Sequence, residues 1–414
     1  RLVGNHFATE PGKNVVMFGN TPTYIISESK TEIEVAVPDA ETRTPTITVT
    51  SYGSSVSISA FTMKSPVISD FSPHRGQPTD QLIITGTSFR GSYLKVFLDD
   101  VQLQLDNMDD THLYTRIPYD LTKHEGTLKV RFYDQEFVLG QTFKSPWIRI
   151  DDFPGTGLTS SQTFVHNNAA YVALVGNGTN NEVWKFSNNQ WSQLNDFPGI
   201  DPGSSLGSTF SFIVGGKGYI GGGDIDVMQR SNKLWEYDVV TDSWTKITDI
   251  PQSEYVFSGF AVGSTGFAFE QDFVTQPKLW EYNAAADTWS MISVVPDGMS
   301  GTANSFIIGN TAYLLDQQWQ AFWKYVPSSN QWTAVSVPDN FKFAFSMGGF
   351  GYAGNRYSFY KFNPSTNAWS QELMPYPYLD DDNFISFSIN GKGYIVRRSS
   401  GTYGKVAYEY DPSF

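Results

Sequence analysis

One pattern of aromatic and polar positions recurs six times between residues 164 and 394. Each copy has an aromatic residue and, seven positions later, a second one: Phe164 and Tyr171, Phe212 and Tyr219, Phe260 and Phe267, Phe306 and Tyr313, Phe345 and Tyr352, and Phe387 and Tyr394. The last copy reads FSINGKGY. Six copies in a constant register predict a repeat architecture, and the alternation within each copy predicts two strands joined by a tight turn.

Two further features follow each aromatic pair. The first is an aromatic-x-aromatic strand, at Trp184, Trp235, Trp280, Trp323, Tyr360 and Tyr408. The second is a tryptophan seven to nine residues later, at Trp191, Trp244, Trp289, Trp332 and Trp369. The turn between these two features is polar, which suits a tight hairpin. Each unit is therefore predicted to contain four strands.

The sixth copy lacks its closing tryptophan. That residue would fall near position 417, past Phe414, whereas Trp147–Ile150 stands at the front with no repeat strands before it. Successive tryptophans, counted from Trp147, are 44, 53, 45, 43 and 37 residues apart, which is the range of a propeller blade. We therefore predict that the strand at Trp147 closes the last blade and leaves no long exposed edge.

Residues 146–414 resemble kelch repeats in these features. The segment after the tryptophan strand, Asp152–Gly155 and again Asp196–Gly199, resembles the variant common in kelch proteins of Bacteroidetes-type bacteria. Only the second copy keeps a glycine cluster, Gly221–Gly223, and serines replace the arginine that often precedes the first strand, at Ser161, Ser208 and Ser258. The resemblance implies a six-bladed kelch-like β-propeller.

The first 145 residues contain two copies of a smaller β pattern. Thr31–Pro38 aligns with Thr111–Pro118 at an offset of 80, and both segments alternate as strands do. The second copy opens with Pro66–Pro73 and resembles the IPT/TIG immunoglobulin-like module. About 20 residues of the first copy's initial strands are absent, by comparison with the second, and we expect the protein to extend further at its N-terminus. The predicted domains are 1–63, 64–145 and 146–414, all of them β.

Composition and charge limit the kinds of partner, metal site and catalytic site that we expect. The formal charge of −14 argues against nucleic acid or an anionic membrane surface as a partner. The chain has no cysteine, which excludes disulfides and cysteine-ligated metals. No apolar run is long enough to predict a transmembrane helix. The five histidines show no metal-ligand spacing, and Asp380–Asp382 is interpreted as a solvated acidic turn. No serine, histidine and aspartate set for catalysis is found, so we predict no catalytic residue, metal or cofactor.

The fixed-register aromatic residues are interpreted as core, so function is expected in loops that depart from the repeat. In a four-stranded blade, the loops after the second and fourth strands emerge on one face. Trp319, flanked by Gln318 and Gln320, offers an apolar face and amide groups that suit a pyranose ring, but a partner contact or a structural role are open alternatives. The remaining candidates for ligand or partner binding are Tyr255, Phe273, Arg230, Arg356, Tyr357, Arg397, Tyr376 and Tyr378.

These observations and the resemblance lead to one functional hypothesis with two alternatives. We expect a non-catalytic extracellular cell-surface protein, lipid-anchored to the outer membrane through a segment before residue 1, whose propeller loop face binds glycan or another extracellular polymer. The immunoglobulin-like modules would serve as a spacer. The first alternative is a docking subunit of an outer-membrane uptake or secretion complex. The second is a sugar mutarotase-like enzyme, since kelch-like rings of six blades include such enzymes.

Overall fold

The computed structural model describes most of the chain. The described residues are 1–156, 158, 161–175, 181–199, 209–223, 230–251, 255–271, 276–296, 303–316, 321–373, 384–398 and 405–414. They divide into two compact units. The first unit comprises Arg1–Tyr119 and Lys123–Ser145, and the second comprises Asp120–Thr122 and Pro146–Phe414.

The first unit is built from short antiparallel strands. Its strands are β1 Leu2–Val3, β2 Asn14–Phe18, β3 Thr21–Pro22, β4 Ile25–Glu28, β5 Glu32–Val35, β6 Ile47–Ser51, β7 Ser54–Ile58, β8 Val67–Ser72, β9 Gln81–Thr87, β10 Leu94–Leu98, β11 Val101–Leu103, β12 Leu105–Met108, β13 His112–Arg116, β14 Glu125–Phe132 and β15 Gln135–Lys144. They form sheets in the orders β1-β5-β4, β3-β2-β6-β7, β12-β13-β9-β8 and β11-β10-β14-β15.

The strand order of the first unit repeats along the chain. The sheet β3-β2-β6-β7 has the same connections as β11-β10-β14-β15, and β1-β5-β4 has those of β9-β13-β12. Burial alternates in the central strands: in β2, Asn14, Val16 and Phe18 are buried. One face of each central strand therefore supplies the core, as an antiparallel sheet covered on one side requires.

The second unit continues with strands β16 to β39. They are β16 Trp147–Ile150, β17 Ser161–His166, β18 Ala169–Leu174, β19 Val183–Ser187, β20 Gln190–Leu194, β21 Thr209–Val214, β22 Lys217–Gly222, β23 Leu234–Asp238, β24 Ser243–Lys246, β25 Tyr255–Val262, β26 Thr265–Gln271, β27 Lys278–Asn283, β28 Thr288–Val294, β29 Ala303–Ile308, β30 Thr311–Asp316, β31 Ala321–Val326, β32 Gln331–Val335, β33 Phe343–Met347, β34 Phe350–Gly354, β35 Phe359–Asn363, β36 Ala368–Gln371, β37 Phe384–Ile389, β38 Lys392–Arg398 and β39 Lys405–Tyr410. A single 3-10 turn, Pro327–Ser329, is the only helical element among the described residues.

These strands form six four-stranded antiparallel sheets. Sheets 1 to 5 take their strands in chain order: β17 to β20, β21 to β24, β25 to β28, β29 to β32 and β33 to β36. Sheet 6 has the order β16-β39-β38-β37, with Trp147 opposite Tyr410. This is the pairing that the missing tryptophan of the sixth repeat predicts.

The first strands of the six sheets contact one another in a closed series. β17 contacts β21, which contacts β25, and the series continues through β29 and β33 to β37. β37 in turn contacts β17, so sheet 6 adjoins sheet 1. The six sheets therefore surround a common centre with their first strands innermost.

Aromatic residues fill the space between adjacent sheets. The two aromatic rings of each repeat stack, with centroids 4.9–5.5 Å apart and planes within 10–23°. Each stacked pair also contacts the third strand of the next sheet: Tyr171 lies 6.0 Å from Tyr237, and Tyr394 lies 5.0 Å from Phe186. All of these rings are buried. The repeated aromatic residues are thus core, which is why the register is constant.

Candidate functional site

Most of the candidate residues proposed from the sequence lie outside the described part of the chain. Trp319, Gln318, Gln320, Phe273, Tyr376 and Tyr378 are in this group, and so is the acidic turn Asp380–Asp382. Tyr255 begins β25 and pairs with Gln271, so it belongs to a strand rather than to the loop predicted for it.

Arg397 is the second residue that the structure moves from a predicted loop into a strand. It lies in β38 opposite Phe384 of β37 and Val406 of β39, because the hairpin continues three residues beyond the repeated Tyr394. Its side chain is only 7% exposed, and its guanidinium carbon lies 6.0 Å from the centre of the Tyr408 ring. Arg397 is therefore a buried cation at the end of a second strand.

Arg356 and Tyr357 occupy a tight turn between β34 and β35. The side-chain oxygen of Asn355 accepts hydrogen bonds from the backbone N–H groups of Tyr357 and Ser358, at 2.7 and 3.0 Å. Tyr357 is 67% exposed, and the Arg356 guanidinium lies 4.7 Å from its ring centre. Asparagine commonly closes such turns through its side chain. The turn presents a tyrosine and an arginine on a fixed backbone.

Asp339 anchors this turn from the preceding loop. Its carboxylate accepts hydrogen bonds from the Ser358 hydroxyl and, at 2.7 Å, from the backbone N–H of Asn340. Burial acts to raise the pKa of the Asp339 carboxyl, but these hydrogen bonds outweigh it and hold the pKa below its ordinary value. Asp339 therefore stays ionised at neutral pH and keeps the turn in place.

Arg230 is the fourth described candidate. It is half-buried and precedes Ser231, whose backbone N–H donates to the Gly223 carbonyl at 2.8 Å. That bond closes the loop between β22 and β23. Arg230 thus lies at the base of the second-to-third-strand loop of sheet 2.

One register position at the ends of the second strands concentrates polar residues. The residue three positions after the second repeated aromatic is Leu174, Gly222, Glu270, Asp316, Asn355 or Arg397 in sheets 1 to 6. The last four are all buried. Glu270 accepts the Trp280 indole N–H and lies 3.3 Å from Lys278 Nζ. An alignment of the six repeats, compared position by position, would have identified this polar position from the sequence.

A cavity of about 380 Å³ lies at the common centre of the six sheets. Every first strand contributes to its wall, mostly through the half where the strand begins. The lining residues are Ser161, Gln162, Thr163, Phe164, Thr209, Phe210, Ser211, Phe212, Ile213, Ser258, Gly259, Phe260, Ala261, Gly263, Asn304, Ser305, Ile307, Ala344, Phe384, Ile385 and Ser386. Arg397 pairs with Phe384, so the cavity reaches the end of the sheets at which the second strands finish.

The described residues in the wall of this cavity include polar side chains, and none of them is ionisable. Their polar groups are serine and threonine hydroxyls and the amides of Gln162 and Asn304. The Gln162 amide N–H group donates to the Thr209 carbonyl and hydroxyl, both at 3.0 Å, and the Asn304 amide donates to the Lys342 carbonyl at 2.8 Å. These bonds join neighbouring sheets and hold the side chains of the wall in fixed positions.

Sequence reasoning missed this cavity, although the repeat carries a signal for it. The residue just before the first repeated aromatic is small in every copy: Thr163, Ser211, Gly259, Ser305, Ala344 and Ser386. All six line the cavity. A large residue in this column would fill the centre of the ring, so a small residue there indicates an open one.

Neither a cluster of metal ligands nor a membrane-spanning helix occurs among the described residues. They contain no group of three or more histidines, aspartates and glutamates placed to hold a metal ion. None of their helices has the length and apolar character needed to cross a bilayer.

Comparison with known proteins relates the chain to solved structures of low sequence identity. No protein-family model matches it, and no curated protein does. The structure of YjhT is 15% identical, with a TM-score of 0.50, over 62% of this chain and 95% of YjhT. A protein of Bacteroides thetaiotaomicron VPI-5482 named as a candidate phosphatase is 12% identical, with a TM-score of 0.51, over 84% of this chain and 97% of its own. At these identities the similarity concerns the fold alone, which is rich in β-structure.

Proposed function

We propose that residues 146–414 form a six-bladed kelch-like β-propeller and that residues 1–63 and 64–145 are immunoglobulin-like modules. The closed series of contacts among six four-stranded sheets supports the first assignment. The repeated strand order in the first unit supports the second, because each module would then be a small two-sheet sandwich.

The function that this geometry supports best is non-catalytic binding of a glycan or another extracellular polymer on the loop face of the propeller. The observation that carries the proposal is the central cavity, whose described lining residues include hydroxyl and amide side chains and no charged one. Such groups match the hydroxyls of a sugar, and Phe210 and Phe384 add apolar surface for its C–H groups. In the sequence, Trp319 comes three residues after β30, whose last residue, Asp316, pairs with Ala303 at the start of β29.

The cellular setting is part of the same proposal. A cell-surface protein lipid-anchored to the outer membrane, with the immunoglobulin-like modules as spacer, would hold the propeller away from the membrane. The resemblance of the repeat to Bacteroidetes-type kelch proteins supports this setting. Release of the protein from intact cells by a protease, together with metabolic labelling of the full-length protein by a fatty acid, would test it.

Glycan arrays followed by calorimetry test the binding function. We expect the wild-type chain to bind at least one extracellular polysaccharide and Trp319→Ala to weaken that binding tenfold or more. Tyr24→Ala, which removes a 75% exposed aromatic residue from the first unit, is the matched control and should bind like wild type. Absence of binding by the wild type across the array would overturn the proposal.

A docking role in an outer-membrane assembly is the second candidate, and the Arg356–Tyr357 turn favours it. Tyrosine and arginine are enriched at protein interfaces, and a rigid turn costs little entropy on binding. Tyr357→Ala should then abolish recovery of one defined partner from solubilised outer membranes without altering polysaccharide binding. Equal recovery by wild type and Tyr357→Ala would exclude this turn as the docking surface.

A further inference from the structure

We propose that the central cavity binds the terminal residue of an uncharged glycan, so that the protein recognises a chain end rather than an internal stretch of polymer. The inference rests on the proposed glycan-binding function and specifies its ligand. It follows from three properties of the cavity, which are the strands that surround it, its volume and the neutral side chains among its described lining residues.

The six strands around the cavity determine how a polymer can enter it. The cavity is lined by residues from all six first strands, and those strands contact one another in a closed series. A linear chain lying across the face of the ring cannot place an internal residue between the strands without a sharp fold. A chain end can enter along the axis of the ring, so a site surrounded laterally by six strands favours the terminus.

The volume of the cavity limits how much of the chain enters. About 380 Å³ is near the lower limit for pockets that bury small ligands, which range from about 300 to 1,000 Å³. One or two sugar rings fit such a space, and the rest of the chain would lie on the loop face outside it. Affinity should therefore stop increasing after the first few residues of an oligosaccharide.

The side chains that line the cavity disfavour a charged ligand. None of the described lining residues can ionise, so a carboxylate or sulfate that enters the cavity would lose its hydration without gaining a counter-charge from them. Hydroxyl groups of a ligand, by contrast, could bond to Ser161, Ser305 and the amides of Gln162 and Asn304, which line the cavity. Because the two amide nitrogens already donate to protein oxygens, these amide groups are held in fixed orientations before a ligand binds.

The experiment is calorimetric titration of the full chain with defined oligosaccharides. The probes are gluco-, galacto-, manno- and xylo-oligosaccharides of one to six residues, each also prepared with a uronic acid at its non-reducing end. We expect one neutral series to bind with an affinity that levels off by three residues, and the uronic acid to weaken it at least tenfold.

Two tryptophan substitutions locate the site. Ala344→Trp fills the cavity without removing any hydrogen-bonding side chain, and it should weaken binding at least tenfold. Ala286→Trp adds the same side chain in an exposed turn and should leave binding unchanged. Circular dichroism and melting curves show whether each variant is folded. If Ala344→Trp unfolds, Ser305→Ala decides instead, with an expected three- to tenfold loss from one missing hydroxyl.

The outcomes separate this inference from the proposed function. Affinity that keeps rising with chain length, and that resists both Ala344→Trp and a terminal uronic acid, would overturn recognition of the chain end while leaving polymer binding on the loop face intact. Failure of the wild type to bind any oligosaccharide or array polysaccharide would overturn both proposals.

Discussion

At the scale of single residues, packing between adjacent sheets depends on small side chains as much as on large ones. The position before the second repeated aromatic is Ala170, Gly218, Gly266, Ala312, Gly351 or Gly393. A Cβ atom on Gly218 would lie 2.4 Å from Phe164 of the preceding sheet, and the other three glycines meet a phenylalanine at 2.3–2.5 Å. Each large ring therefore requires a small residue on the neighbouring sheet.

Gly218→Val tests this complementarity. The added side chain would push against the Phe164 ring in a packed layer, so we expect a loss of about 1–3 kcal/mol in the free energy of unfolding. All 11 tryptophans lie at or after position 147, so their fluorescence follows unfolding of the second unit. Gly140→Val in the first unit is the control, since a Cβ there meets nothing within 4 Å. Equal tryptophan unfolding curves for the two variants would contradict the prediction.

A second residue-scale feature links sheet 2 to sheet 1 and sheet 3 to sheet 2. The Tyr237 hydroxyl donates to Asp242 Oδ1 at 2.7 Å, and the same carboxylate accepts the backbone N–H of Asn195 from sheet 1 at 3.1 Å. Tyr282 and Asp287 repeat the arrangement with Thr248 of sheet 2. Asp242 has a φ of 51°, a left-handed turn conformation that aspartate and asparagine tolerate better than most residues.

Tyr237→Phe removes the hydroxyl from this link while keeping the ring. We expect a loss of about 1 kcal/mol, the usual net value of one hydrogen bond. Tyr24→Phe, at a 75% exposed position, should change stability by much less. Denaturant titration followed by fluorescence and by circular dichroism would measure both variants. A change no larger than that of the control would show that the link does not stabilise the second unit.

At the scale of elements, the strand β16 completes sheet 6 from the opposite end of the second unit. Trp147 is fully buried, its indole N–H donates to the Leu373 carbonyl at 2.6 Å, and its ring packs 4.8 Å from Tyr410. The other fourth-strand tryptophans, such as Trp244, are only partly buried. The closing strand is thus held more firmly than its counterparts.

Trp147→Ala should therefore destabilise the second unit more than the same change at Trp244. We expect about 3–5 kcal/mol for the buried ring, as for other buried aromatic residues replaced by alanine, and a smaller loss at Trp244. Stability is measured by urea titration with the remaining tryptophans as probes. A smaller loss at Trp147 than at Trp244 would contradict the view that β16 secures sheet 6.

The elements were more predictable from the sequence than the candidate site. The strands and their order can be predicted from aromatic residues in constant register, because each of the six interfaces between sheets is packed by rings at the same repeat positions. Arg397 and Tyr255 were placed in loops, since the sequence does not show how far a hairpin continues beyond its repeated residues. The central cavity was harder to predict because it is formed by six strands that are distant in the sequence. The small residue just before each first repeated aromatic residue was the only sequence signal we identified for it.

At the scale of the whole molecule, buried tyrosines make the second unit sensitive to alkali. Burial, with a smaller contribution from a nearby glutamate, raises the pKa of Tyr325 and of Tyr352 to about 12. In the unfolded chain a tyrosine ionises near pH 10. The folded state therefore holds these protons more tightly, and the stability this provides is complete below pH 10 and is lost as the pH rises toward 12.

We accordingly expect the free energy of unfolding to be insensitive to these groups at pH 7 to 9 and to fall between pH 10 and 12. Absorbance at 295 nm, which reports tyrosinate, should rise together with the loss of tryptophan fluorescence. Tyr325→Phe should make the fall less steep, whereas Tyr24→Phe should not. Full tyrosine ionisation at pH 11 with an intact fold would contradict the prediction.

The completion of sheet 6 by β16 also has a consequence for synthesis on the ribosome. Trp147 pairs with Tyr410, 263 positions later, so this contact forms only after nearly the whole chain has emerged. Sheets 1 to 5 each pair strands that are close in sequence and can form as they appear. Pairing of such distant strands is slow. A ribosome that stalls before residue 405 would therefore carry five assembled sheets and an unpaired β16 strand that could bind a chaperone.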